Sequence, residues 1–143
     1  MGHTLNVVTL GVRDKERARA FYDTLGWRGR GGTADDPVFY HSRGMVVALW
    51  DRASLATDSC VQDDGGWGGV TFAYNVGSEA EVDAITEAAR GAGGTVAREP
   101  SATFWGGYSA MVHDPDGHPW EIAHNPHWGT TGDGGVVVDT RAG

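Results

Sequence analysis

The sequence is short of cysteine, of long apolar runs and of positive charge. Cys60 is the one cysteine in 143 residues; it has no partner within the chain, so no disulfide framework is expected, and a reducing, cytoplasmic compartment is the simplest setting. No basic neighbour or helix start is expected beside Cys60 to lower its pKa, so it reads as an inert thiol. The longest apolar run, Met45 to Trp50, is six residues. That is far short of a bilayer crossing, and the N-terminus lacks a basic segment followed by an apolar one, so neither a membrane span nor a signal peptide is expected. Eleven Lys and Arg against 19 Asp and Glu give a net charge of −8, which disfavours nucleic acid and anionic membranes as partners and mildly favours cationic ligands. The deficit is uneven: residues 1–30 hold six basic and three acidic side chains, residues 31–143 five and sixteen. The basic stretch from Arg13 to Arg30 reads as a solvated helix face.

What is abundant is glycine, 23 residues, and tryptophan, six. The glycines imply many tight turns, and six large rings in so small a protein suggest that some line a cavity. The length suits one domain that folds without a disulfide or structural metal.

Along the chain, Val8, Leu10 and Val12 alternate with Thr9, Gly11 and Arg13, the period of a strand with one buried face. Asp14 then stands as an N-cap before Ala18, Phe21, Tyr22 and Leu25 at helical spacing, with Gly26 as the stop. A short strand fits near Trp27 to Arg30, and Val38 to His41 and Met45 to Trp50 read as strands joined at Ser42-Arg43-Gly44. Residues 51–69 break the pattern and read as a linker. Beyond it the plan recurs: Val70, Phe72, Tyr74 and Val76 alternate, Ser78-Glu79-Ala80-Glu81 forms a capping box, and Val82, Ile85 and Ala89 follow at helical spacing up to Gly91 and Gly93. At an offset of 64, Val76 falls on Val12, Ser78 on Asp14, Val82 on Ala18 and Ile85 on Phe21. Thr95 to Arg98, Ser109 to Asp114 and Trp120 to His124 complete three more strands. The expected fold is α+β: one domain over 1–126 made of two tandem βαβββ modules (4–50 and 70–126), with curved antiparallel sheets around a cleft and helices on the outer faces. Residues 127–143 read as a Gly-rich mobile tail with Val136-Val137-Val138 as an edge strand at most.

Asp114-Pro115-Asp116-Gly117 is a hairpin turn. Just beyond it Trp120 and Ile122 share one face, which places Glu121 on the other. A carboxylate in mid-strand needs water, a cation or a metal, so Glu121 is either a rim residue or one that touches ligand or metal. The glycine-rich stretches at 65–69 and 105–107 do not match a phosphate loop.

The doubled unit, Phe21-Tyr22 and Leu25-Gly26 on the first helix, and Trp105-Gly106-Gly107-Tyr108 followed by Asp114-Pro115-Asp116-Gly117-His118-Pro119-Trp120-Glu121 resemble the glyoxalase/bleomycin resistance protein/extradiol dioxygenase group, the vicinal oxygen chelate superfamily, over about residues 4–126. The resemblance implies the paired fold and leaves activity open, because that fold hosts lyases, dioxygenases, thiol transferases and metal-free drug-binding proteins. Its metal-dependent members hold one divalent cation with side chains from four strands. Those positions fall here on Val7, Ala48, Thr71 and Glu121, so only Glu121 survives, and one carboxylate does not hold a catalytic divalent ion against water. Of the six histidines, His118 falls in the turn, His124 opposite Glu121's face, His127 in the tail and His3 near the first strand, whereas His41 and His113 serve only if bulges reverse their facing. No metal and no cofactor are therefore expected.

Trp50 shares a face with Ala48 and so points away from the helix. Trp67, Phe104, Trp105 and Tyr108 fall in loops or at strand ends, where two readings stand open: packing at a hairpin or dimer seam, or a platform for a flat or cationic ligand. The resemblance implies a homodimer with its cleft near the partner chain. The favoured function is a metal-free protein that binds a small aromatic or cationic compound, as in antibiotic resistance by sequestration, through Glu121, Trp50, Trp67, Phe104, Trp105, Tyr108, Thr71 and Ala48. The alternatives are a metal-dependent lyase, isomerase or dioxygenase with a relocated site, and a cofactorless enzyme with Glu121 as its catalytic base; whether the chain is an enzyme stays open.

Overall fold

A computed structural model describes residues 5–138; His3 and the last five residues of the C-terminal segment lie outside it. The chain divides into two units, Met1–Gly68 and Gly69–Gly143, a division that falls inside the expected linker. Each unit contains a strand, a helix and three strands in that order, as the doubled pattern predicts.

In the first unit, β1 (Val7–Val12) leads to α1 (Lys15–Thr24), then β2 (Gly29–Gly31), β3 (Val38–Ser42) and β4 (Met45–Asp51). Asp14 caps α1, its side chain accepting from the Arg17 N–H at 3.0 Å, and Gly26 takes φ +93° just past the helix end. The sheet order is β1-β4-β3-β2. It is mixed rather than wholly antiparallel: β2, β3 and β4 form a meander, while β1 runs parallel to β4, because the helical crossover returns the chain in the direction of β1. Register places Leu10, Val12, Val38, Tyr40, Val47 and Leu49 on one face, and all six are buried with Ala18, Phe21 and Tyr22 of α1. Trp27 joins this core, its ring 5.4 Å from Tyr22 and 5.6 Å from Tyr40. Burial and the hydrogen bond to Asp23 push the Tyr40 hydroxyl well above its ordinary pKa, so it stays a donor.

The basic stretch is exposed at Arg13, Arg17, Arg28 and Arg30, as the sequence suggests, while Lys15 and Arg19 are half-buried and tie the fold together. Lys15 Nζ donates to the carbonyls of Ala34 (2.6 Å) and Asp36 (2.8 Å). Arg19 donates to those of Gly31 (3.0 Å) and Gly29 (3.2 Å). The loop between β2 and β3 is thus clasped from α1. The linker also differs from expectation, since Arg52–Asp58 is a helix, α2, capped by Asp51. It buries no residue and so has no apolar stripe to announce it. Arg52 ties it to the following loop through a two-pronged pair with Asp63, at 2.5 and 2.8 Å.

In the second unit, β5 (Phe72–Asn75) leads to α3 (Glu79–Gly91), β6 (Thr95–Ala102), β7 (Tyr108–His113) and β8 (Pro119–His124), in sheet order β5-β8-β7-β6 with β5 and β8 parallel. Ser78 caps α3 by accepting from the Glu81 N–H at 3.2 Å, and Glu81 reaches back to the Gly77 N–H at 2.7 Å. Asp14 and Ser78, 64 residues apart, are therefore both N-caps. Val82, Thr86 and Ala89 bury the inner face of α3 against β6, β7 and β8. The turn at 114–117 is the expected hairpin: Asp114 accepts from the Asp116 and His118 N–H groups at 2.9 and 2.8 Å, and Gly117 takes φ +87°. Part of the expected tail is ordered as a small hairpin, in which β9 (Gly129–Thr130) pairs antiparallel with β10 (Val136–Val137). Among the described residues no helix is long and apolar enough to cross a membrane.

Candidate functional site

Alternation settles which face of each sheet is turned away from its helix. In the second unit Tyr108, Ala110 and Val112 pair with His124, Ile122 and Trp120, and the Tyr108 hydroxyl donates to Asp83 of α3 at 2.7 Å. That face is the helix side. Glu121 pairs with Met111 and with Ala73 on the opposite side, as its strand position predicts, and Thr71 shares its parity just before β5. Glu121 is half-buried. In the first unit Ala48 pairs with Thr9 and Phe39, and Trp50 with Gly11, on the side away from α1, as expected for Trp50. Its indole N–H donates to the Asp35 carbonyl at 3.0 Å, so the clasped loop fixes the plane of the ring.

The metal-ligand positions implied by the resemblance can be tested against this geometry. Val7 and Ala48 lie on the face away from α1 and carry no donor atom. Thr71 offers a neutral hydroxyl, and Glu121 is the one carboxylate. Among the described residues no three His, Cys, Asp or Glu side chains come together in a way that could hold a metal ion. This donor set does not fit a catalytic divalent cation, which takes about three protein ligands.

The histidines bring one correction. His41 pairs with Val46, and His113 with Pro119, so simple alternation puts them on the faces of Ala48 and Glu121 with no bulge in β3 or β7. His124 lies on the helix side, its Nδ1 3.0 Å from the Val76 carbonyl oxygen.

The remaining aromatic candidates differ in their settings. Tyr108 lies on the helix side, away from Glu121, and its bond to Asp83 raises its pKa above the ordinary value. Trp105 folds over its own turn: a Cβ built at Gly107 would stand 1.8 Å from the indole ring. Phe104 at the tip of that turn is fully exposed (101%), and Trp67 is exposed at 73%. Trp120 packs on Phe72, with centroids 5.1 Å apart.

One residue on the face of Glu121 was not legible as a site residue. The β6–β7 register slips twice, between Val96 and Arg98 and between Arg98 and Ser101. The first slip leaves Ala97 over and moves Arg98 into the place opposite Met111. Plain alternation would have placed Arg98 with Val96 on the helix side; the bulge turns it to the face of Glu121. The signal for an irregular strand was Pro100, which cannot donate to a ladder and favours bulges.

A strand, a helix and three strands written twice, with a carboxylate on the last strand, define the paired βαβββ class of fold. The sequence profile of the Glyoxalase/Bleomycin resistance protein/Dioxygenase superfamily matches residues 4–122, and the chain belongs to that superfamily. Among solved structures, it is similar to a glyoxalase-related enzyme from Fulvimarina pelagi, with 36% identity and a TM-score of 0.89 over 96% of this chain and 99% of that one. It is also similar to a hypothetical protein from S. aureus, at 26% identity and a TM-score of 0.78 over 87% and 95% of the two chains. A lactoylglutathione lyase from Agrobacterium tumefaciens shares the fold at 22% identity and a TM-score of 0.66 over 90% and 98%. No match was found among curated proteins.

Proposed function

We propose that the chain binds a small aromatic or cationic compound without a metal ion. The observation that carries this reading is the donor set: of the four positions where metal-dependent relatives place ligands, Val7, Ala48 and Thr71 offer no anionic or imidazole donor, and Glu121 remains. A lone half-buried carboxylate beside Met111 and Ala73 is suited to pairing with a cation, and a net charge of −8 raises the local concentration of cations. Trp50, half-buried and held at its N–H by the Asp35 carbonyl, is the aromatic side chain we assign to a flat or cationic group. We further propose that the chain is a cytoplasmic homodimer in which exposed Phe104 and Trp67 meet the second copy; sedimentation equilibrium at micromolar concentration should return twice the chain mass.

The test of binding is isothermal titration and tryptophan quenching of the untagged chain with a panel of cationic and aromatic compounds, alongside elemental analysis. Saturable binding by metal-free protein is the expected result. One tightly held Ni, Zn, Fe or Mn per chain, or no binding across the panel, overturns it.

A further inference from the structure

We infer that the sheet face bearing Glu121 also recognises an anionic group, a carboxylate, through Arg98, so that the ligand carries charges of both signs. The inference rests on that face being the binding face and adds a second anchor to it. The register places Ala73, Glu121, Met111 and Arg98 in one row across β5, β8, β7 and β6. Strands about 4.8 Å apart put the backbones of Glu121 and Arg98 roughly 10 Å from each other, with the Met111 side chain as an apolar floor between them. The guanidinium is aimed, not loose: Nη1 donates to the Ser109 carbonyl and Nη2 to the Ser109 hydroxyl, each at 3.1 Å. Ser109 is itself buried on that face (1% exposed).

Two of five guanidinium N–H groups are used on one neutral residue, which leaves three donors and the whole charge for something else. The neighbouring arginine pairing on β6 is ionic: Arg90 of α3 holds Glu99 at 2.7 Å. Glu99 and Arg98 are neighbours pointing to opposite sides of β6, so the ion pair on the helix side pins the bulged backbone that presents Arg98 on the other. A planar cation with its fork partly fixed by Ser109 is preorganised for a carboxylate. A rigid molecule with a carboxylate at one end, a ring in the middle and an ammonium at the other matches the row from Arg98 over Met111 to Glu121.

The experiment uses 4-(aminomethyl)benzoate, benzoate and benzylamine as probes, followed by amide chemical shifts and by titration on the full chain, Arg98→Gln, Arg98→Lys and Glu121→Gln. The zwitterion should bind about tenfold more tightly than benzylamine, the scale of one charge-assisted contact, and shift the amides of β6, β7 and β8. Arg98→Gln should erase that advantage and leave benzylamine unchanged within about twofold, while Arg98→Lys, which keeps the charge, should retain part of it. If Arg98→Gln proves poorly folded, the Arg98→Lys variant and the shift map of the parent chain carry the test. Equal affinity of parent and Arg98→Gln for benzoate and the zwitterion, or shifts confined elsewhere, overturns the inference. Benzoate binding that depends on Arg98 without any benzylamine binding upholds the carboxylate site at Arg98 and overturns the cation site at Glu121, and with it a ligand of both charges.

Discussion

Gly107 shows how much a single residue decides at the 103–107 turn. The Trp105 ring occupies the space where a side chain would stand, 1.8 Å from a Cβ at Gly107, so Gly107→Ala must move either the ring or the strand entry. The expected cost is about 1–3 kcal/mol, as for overpacking in a filled site, read as a lowered midpoint in thermal and urea unfolding. Tyr108 tests the neighbouring placement. Its hydroxyl bond to Asp83 spans from sheet to helix at 2.7 Å, so Tyr108→Phe should lower the thermal midpoint slightly and leave ligand affinity unchanged; a loss of affinity at constant stability would place the ring in the binding face after all. At this scale the sequence is legible where a residue acts on its own backbone, as Asp14 and Ser78 do at their helix starts. It was less legible for large rings, because hydrophobicity says that Trp105 will be covered and nothing in the spacing says that its own turn will be the cover.

Elements were legible in proportion to their apolar stripes. Both long helices and the edges of most strands follow from periods of 3.6 and 2, whereas α2 has seven residues and none buried, so it had no stripe to read. What holds its end is electrostatic. The Arg52 hydrogen bonds keep the Asp63 carboxyl far below the ordinary carboxylate range. A carboxyl whose pKa is depressed in the folded state contributes stability above its unfolded pKa, about 4, and loses that contribution as pH falls through the folded value. The tie between α2 and the loop at 63–65 should therefore survive at pH 4 and release only in stronger acid. Amide exchange at Gly65, whose N–H donates to Asp63 at 2.9 Å, reports it, and Asp63→Asn should abolish the dependence. The β6 bulges were illegible for a different reason: alternation is a two-state rule, and one inserted residue inverts everything after it. Arg98, which the sequence offers only as the end of a strand, reaches the face of Glu121 for this reason alone.

For the molecule as a whole, the family and the doubled plan were legible because they are written over 119 residues, 4–122, and repeated errors of one or two residues at strand ends do not blur them. The candidate site is legible only by subtraction, as the lack of metal-donor side chains at Val7, Ala48 and Thr71. The charge of −8 is a property of the whole surface and makes its own prediction. Benzylamine affinity should weaken steadily as sodium chloride rises from 10 to about 300 mM, over which the screening length falls from about 30 Å toward 6 Å, while benzoate affinity should hold or improve. Equal salt responses for the two probes would show that the acidic body plays no part in selecting ligands.

The clasp on the loop between β2 and β3 reaches beyond any one ligand. The hydrogen bonds that Lys15, Arg19 and Trp50 make with residues 29–36 end on main-chain carbonyls: those of Gly29, Gly31, Ala34, Asp35 and Asp36. Main-chain acceptors are the same whatever side chain they carry. Thr33, Asp35 and Asp36 can therefore be exchanged without loosening the anchor that orients the Trp50 ring, which makes this loop a place where evolution, or a combinatorial library, can vary side chains while the scaffold stays still.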